Sequence, residues 1–338
     1  MVQLYLNEYV KNLVGRTVCI ACREGILRDH FNEIVADIKF LVRKGVATTL
    51  FHNLPHRFAN QKLLKKLELR LPETSLIRIA PELDFYQEVL QHPDTIYKLI
   101  FLERRYLIDN KGYKINALTT RRVREAMADY ADFGDFIGNV NFKDTMNRIC
   151  EKIEAGQCER IHILPAGKNT IKHELFTVEG TGTMIADNFS EELRQVQTDE
   201  EVAIVRRILA MYKRSGFLKP RSRQYLSDNR HHFFVTAIDG IVVGCLEQKI
   251  IDERTVELGA LAISARFRNQ RVGVFTVNAF IDKMVEQGYS RFISLTRNPR
   301  LQALYLQLGF VEESPPEYSR RQSESPDVQM FLKERQHQ

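Results

Sequence analysis

The chain predicts an α/β protein in two parts, a parallel α/β unit followed by a mixed α/β unit. Three observations carry this. As far as Pro165, short β-rich runs alternate with amphipathic helical stretches, the pattern of parallel strands joined by crossover helices. From Thr198 the order changes to helix, strand meander, then strand–helix–strand. Between them lie a Gly-rich loop and a polar stretch, and 338 residues is a length for about two domains.

The first unit is expected over residues 1–185. Its β-rich runs are TVCIACREGIL, ATTLFH, SLIRIA, KLIFLE and RIHILP, with amphipathic helices such as HFNEIVADIKFLVRKG between them. Cys19 and Cys22 form a C-x-x-C inside the first run. Residues three apart on a strand point to opposite faces, so the two do not converge on a metal, and no second pair completes a zinc site. With Cys150, Cys158 and Cys245 they make an odd, scattered set rather than a disulfide framework, which fits a reducing cytoplasm. The polar residues 186–196 read as a linker.

The second unit is expected over residues 197–338. Thr198 with Glu201 is a capping box, and Val202, Val205, Leu209 and Tyr212 form an apolar stripe on the helix it starts. The runs HHFFVTAI and IVVGCLEQKI are joined by Asp239-Gly240, a strong hairpin turn. A second turn near Asp252 and Glu253 leads to TVELGALAIS. The loop FRNQRVGVF follows, then a helix with Val277, Phe280, Ile281 and Met284 on one face, a strand from Arg291 to Arg297 and a helix ending in LYLQLGF. His231 and His232 open a strand without a carboxylate or cysteine at ligand spacing. A strand–loop–helix unit aims backbone N–H groups and a positive helix end at one point, which suits a pyrophosphate.

The net charge of +6 is a mild excess that favours a polyanionic ligand, and no nucleic-acid motif accompanies it. No run of apolar residues is long enough to span a membrane, and the first residues lack the uninterrupted apolar core of a signal peptide.

From Val256 to Phe310 the chain resembles the acetyl-CoA-binding half of the GNAT acetyltransferase superfamily. The superfamily's loop pattern is Arg-x-Gln-x-x-Gly-x-Gly/Ala. Arg268, Gln270 and Gly273 match it, Phe275 replaces the last small residue, and the Tyr-x-x-x-Gly-Phe ending is present. The resemblance implies that Arg268, Asn269, Gln270, Arg271, Val272, Gly273 and Val274 hold the pyrophosphate of acetyl-CoA. It implies that Leu261, Ala262 and Ile263 hold pantetheine, one N–H serving as an oxyanion donor. Glu257 lies in VELGALAIS, similar to the E-L-x-x-L-A-V strand of acetylglutamate synthases. That implies a general base with a pKa raised toward neutrality, or else a strand glutamate facing solvent. Tyr305 would protonate the leaving thiolate or pack on coenzyme A. Asn298 would bond pantetheine or water, or cap the last helix.

Three segments of the first half resemble the amino-acid kinase family, in its acetylglutamate kinase branch: LNEYVKNLVGRTVCIA, KLIFLERRYLIDNKGYKINALT, which implies a hairpin after the central strand, and RIHILPAGKNTIKHELFTVEGTGTMI. The phosphate-binding Lys-x-Gly-Gly of that family is CREGIL here, and its next Gly-rich loop is HNLPHRFAN. Its Thr-Asp-x-x-Gly is Glu103-Arg104-Arg105-Tyr106-Leu107, and GNVNFKDTMNRICEKIEAGQ keeps only Lys143 of the Gly-Gly-Met-x-x-Lys loop. Larger residues obstruct the close backbone approach those glycines allow, so kinase activity is not expected.

A degenerate amino-acid kinase domain before a GNAT domain resembles the layout of the N-acetylglutamate synthase family. This implies acetyl transfer to the α-amine of glutamate and an arginine-responsive first domain without a metal. Glu174 or Glu179 would meet the guanidinium, with Gly180 and Gly182 leaving room, or the segment only shapes a tight turn. The first helix implies a homo-oligomer. For the acceptor, GFLKPRSRQYL resembles a glutamate-binding G-I-L-V-R-R-S element through Leu218, Arg221 and Ser222, with Pro220 where a second arginine is expected. The family's Arg-x-Ser before the last strand has no match in SESPDVQMFLKE, which leaves Arg320 or Arg321 to compensate. Another amino acid, a polyamine or a protein lysine stays open as acceptor, as does a non-catalytic regulator that binds coenzyme A.

Overall fold

The computed structural model describes residues 6–55, 58–108, 112–128, 142–177, 180–188, 191–213, 216, 218, 221–238, 240–267, 272–323 and 328–335. The chain divides into two compact units, Met1–Phe189 and Ser190–Gln338.

The first unit holds a seven-stranded sheet of β1 (Thr17–Cys22), β2 (Ala47–His52), β3 (Ser75–Arg78), β4 (Ile96–Glu103), β5 (Ala117–Thr119), β6 (Cys158–Pro165) and β7 (Thr183–Ala186). The order is β3-β2-β1-β4-β6-β7-β5. Strands β1 to β4 and β6 run parallel, while β7 is antiparallel to β6. β1 and β4 are buried nearly throughout, as strands covered on both faces must be, which is why they read as continuous apolar runs.

Several details differ from the sequence reading. The first strand stops at Cys22, and Glu24–Asp29 is a short helix. The Asn53 side-chain Oδ1 accepts from the Glu24 N–H at 2.6 Å, and Glu24 pairs with Arg28 one turn on. Both contacts belong to the helical state and neither shows in an apolar run. The hairpin expected after β4 amounts, among the described residues, to one bridge between Ile108 and Lys114, and β5 pairs with β7. The Lys143 side chain and residues 129–141 lie outside the described residues. Cys19 and Cys22 are both buried, burial pushing the Cys19 thiol up to about 11 and Cys22 higher still.

The helix Thr170–Phe176 starts after Asn169, which gives it no side-chain cap. Asp37, from the helix Phe31–Arg43, supplies one by accepting from the Ile171 N–H at 2.9 Å. Burial pushes the Asp37 carboxyl up to about 6, with the Ile171 N–H and Lys172 pulling the other way.

The second unit holds β8 (Glu191–Gln195), β9 (Phe233–Ile238), β10 (Ile241–Ile250), β11 (Thr255–Ile263), β12 (Arg291–Thr296), β13 (Val311–Glu312) and β14 (Gln329–Glu334), in the order β13-β14-β12-β11-β10-β9-β8. Only β11 and β12 run parallel. The stretch 186–196 expected as a linker instead contains β8, which pairs with β9 over its whole length. Glu201 and Thr198 make the capping box, the Glu201 N–H donating to Thr198 Oγ1 at 3.1 Å. Val277, Phe280, Ile281 and Met284 of the helix Val272–Glu286 are buried against Phe234, Leu246, Leu258 and Phe292. His231 and His232 lie in a turn ahead of β9, their ring centroids 4.0 Å apart and the planes tilted by 47°, and do not open the strand.

Candidate active site

The pairing of β11 with β12 runs from Thr255–Arg291 through Glu257–Ile293 and ends there. The Ser294 hydroxyl donates to the Leu258 carbonyl at 3.0 Å, and beyond this link no pairing joins the two strands. On its other edge β11 pairs with β10, but the register slips between Cys245 and Glu247. Ala260 takes up the slip with a φ of +49°, a conformation an alanine adopts only where its surroundings impose it. Two neighbouring strands thus separate at a fork.

A cavity of about 410 Å³ occupies the fork. Leu261, Ala262 and Ile263 line it from β11 and Thr296 from β12. Val272, Gly273 and Val274, at the start of the helix Val272–Glu286, close one end. The first N–H groups of that helix have no partner within it, so they are available to an anion. Arg268, Asn269, Gln270 and Arg271 lie outside the described residues. Phe275 is half-buried and does not line the cavity. Leu218 lines it, as does Tyr212, whose hydroxyl donates to the Ile263 carbonyl.

Tyr305 lines the cavity from the helix Pro299–Gln307 and packs against Phe310 and Phe331 with its ring tilted to theirs. Burial pushes its phenol up to about 12, the Ser294 hydrogen bond lowering it and the Glu257 charge raising it. It is a neutral proton donor at neutral pH. Asn298 also lines the cavity, but its side chain caps the helix Pro299–Gln307 by accepting from the Arg300 N–H at 3.1 Å.

Side chains alternate along β11, so Val256 and Leu258 point into the core and Glu257 points to the other face. Glu257 is 2% exposed and is not a solvent-facing glutamate. Lys249, its cross-strand partner on β10, donates to Oε1 at 3.0 Å. Arg321 binds both oxygens, Nε to Oε2 at 2.5 Å and Nη2 to Oε1 at 2.8 Å. Burial pushes the carboxyl up, but the Arg321 hydrogen bonds and the Lys249 and Arg321 charges prevail and hold it below the usual carboxylate range. The expected rise toward neutrality is therefore reversed, because burial comes with two cations.

Two residues back along β10, Glu247 is equally buried. Arg221 Nη2 donates to its Oε2 at 2.8 Å and the Tyr225 hydroxyl to its Oε1 at 2.5 Å. Arg221 is thus committed to a protein carboxylate, and Ser222 caps the helix Arg223–Asp228. Gly259 sits opposite Glu247. The sequence reading missed Glu247, Lys249 and Tyr225. Counting back from the turn at Asp252 and Glu253 places Lys249 opposite Glu257, and that signal was available.

In the first unit, Glu174 is wholly buried and accepts from Thr181 N–H at 2.7 Å and Gly182 N–H at 2.9 Å, with His162 Nδ1 2.7 Å from its other oxygen. A Cβ on Gly182 would lie 2.2 Å from Leu164 Cδ2 and 2.3 Å from the Ile163 carbonyl oxygen, so that glycine serves the packing of β6 and β7. Gly180 turns the chain with a φ of +61°. These contacts are those of a shaped turn. Glu179 lies outside the described residues.

Residues 191–310 match the acetyltransferase (GNAT) family. An amino-acid acetyltransferase of Shewanella oneidensis is 26% identical over 215 residues, 63% of this chain and 47% of that one. Another, of Neisseria meningitidis, is 30% identical over 145 residues, 42% of this chain and 33% of that one. The chain spans about half or less of the length of these curated relatives. The crystal structure of N-acetylglutamate synthase from Neisseria gonorrhoeae, complexed with coenzyme A and L-arginine, is similar with a TM-score of 0.55 at 17% identity, over 98% of each chain. At that identity the likeness is one of fold.

Proposed function

We propose that the second unit transfers an acetyl group from acetyl-CoA to the α-amine of an amino acid, with L-glutamate as the first acceptor to test. The observation that carries this reading is the fork of β11 and β12, with a cavity in its opening and Glu257 at the last position where the two strands pair. The cavity fits an elongated thioester in kind: unpaired strand edges line its sides and helix N–H groups its end. Leu261 to Ile263 would hold the pantetheine arm, and Val272 to Val274 the pyrophosphate.

Acetyl-CoA supplies the activated acetyl group. The amine nitrogen bonds to the acetyl carbon as the C–S bond breaks; of the two protons the ammonium loses, one ends on the thiol and the other is released. Glu257 would take a proton from the ammonium, and Tyr305 would give one to sulfur. The first unit would not phosphorylate. Arginine is its effector to test, supported by the resemblance of its last segment and by the arginine in the gonococcal complex. A homo-oligomer is the assembly to test beside it.

The test is thiol release from acetyl-CoA across the twenty amino acids and simple polyamines, with and without arginine. Turnover with glutamate that arginine alters is expected. Coenzyme A binding without turnover of any acceptor would replace the enzyme with a regulator.

A further inference from the structure

We propose that an acceptor's own carboxylate releases Glu257 by drawing Arg321 away from it, so that the site acetylates only amines carrying a carboxylate. This rests on the acetyl-transfer reading above.

Both oxygens of Glu257 are occupied in the structure, and Arg321 makes two of the three bonds. A carboxylate held by a bidentate guanidinium and an ammonium is a poor proton acceptor, whatever its position. The charged and titratable groups around it come from three elements: Lys249 and Glu247 from β10, Arg321 from the helix Ser319–Ser323, and Tyr305 from the helix Pro299–Gln307. Glu247 is bound by Arg221 and Tyr225. Lys249 is fixed by its place in the ladder opposite Glu257. Arg321 stands on a five-residue helix and reaches in with a side chain 22% exposed, so it meets an entering ligand without a strand being broken.

The exchange conserves bonding. A guanidinium fork accepts one carboxylate as well as another, so the acceptor's carboxylate replaces that of Glu257 at little net cost. Glu257 then keeps Lys249 alone and can take one proton from the acceptor's ammonium. Charge also selects the acceptor. Among the described residues, Arg221, Lys249 and Arg321 face Glu247 and Glu257, three cations against two carboxylates. An acceptor carboxylate answers the surplus, whereas a polyamine adds to it and offers Arg321 nothing.

The test compares the parent with Arg321→Gln and Arg321→Lys, using an amino acid the parent acetylates and butylamine. The profile of kcat/KM reports groups of the acceptor-free enzyme and that of kcat those of the complex. The acid limb of kcat is expected at higher pH than that of kcat/KM in the parent, by about one unit or more, a tenfold change in proton affinity. In Arg321→Gln the two limbs should coincide, KM for the amino acid should rise, and butylamine should be acetylated where the parent leaves it untouched. Arg321→Lys, which keeps a charge and a compact fold, should retain part of the separation. Coincident limbs in the parent, or butylamine turnover by the parent at the amino-acid rate, would overturn the exchange while leaving acetyl transfer standing. No turnover by the parent with any acceptor would sink both.

Discussion

Each sheet has a place where a ligand is expected, and the two are furnished in opposite ways. In the first sheet the chain order reverses between β1 and β4, and open α/β sheets hold ligands beyond the carboxyl ends of such strands. There Arg23, just after β1, bonds Glu103, the last residue of β4, at 3.1 Å, and the Tyr86 hydroxyl takes the other carboxylate oxygen. The crevice binds itself. In the second sheet β11 and β12 part and the opening stays a cavity, lined by strand edges and by Arg300 from the helix Pro299–Gln307. Two similar topological invitations are thus answered once by side chains and once by empty space, and only the second leaves backbone groups for a substrate.

The strongest way to break this contrast is Glu257→Gln. Loss of the base should lower kcat about 10²–10⁴-fold in protein shown to be folded at the assay temperature, since the lost ion pairs also lower the melting temperature; an unchanged kcat would move the chemistry away from the vertex. Next comes Gly182→Ala, where the new methyl has nowhere to go between β6 and β7. A loss of about 1–3 kcal/mol in urea unfolding is expected, with no effect on coenzyme A affinity. Glu103→Gln should cost about 1–2 kcal/mol through the lost ion pair and leave acetyl transfer intact. Lost transfer in that variant would mean the first crevice is not self-contained. The smallest effect is expected at Asp37. Its folded pKa of about 6 stands above the ordinary aspartate value, so folding favours the protonated form. Its contribution is therefore full below about pH 4, falls as pH rises to about 6, and is flat beyond. Asp37→Asn keeps the acceptor for Ile171 and should remove that decline, gaining on the order of 1 kcal/mol at neutral pH, as measured by unfolding midpoints across pH.

Much of the fold was legible because burial writes itself as apolar runs and stripes. Val277, Phe280, Ile281 and Met284 could be read as one buried face, and the boundaries of β2 and the start of β3 followed from composition. The failures share a cause. Glu191 to Gln195 carries almost no apolar alternation, and it is a strand because β9 needs a partner along its edge. Glu24–Asp29 is helical because Asn53, just after β2, catches its first turn. In the site, Glu257 stood out by its strand motif, but its ionisation depends on Lys249, placed by register, and on Arg321, 64 residues further along. Neither dependence is local, so the sign of the pKa shift could not be had from the motif.

The short strand β8 has a practical consequence. The sequence alone divides the chain ahead of the helix Asp199–Lys213, and a fragment starting at Gln197 would omit Glu191–Gln195. That would bare the whole N–H and C=O rim of β9, whose residues Phe233 to Ile238 are all buried in the intact chain. An uncovered, strongly apolar rim recruits other chains. Such a fragment would come out as aggregate, and its silence in an assay would say nothing about catalysis. Five residues upstream decide whether the unit can be studied alone.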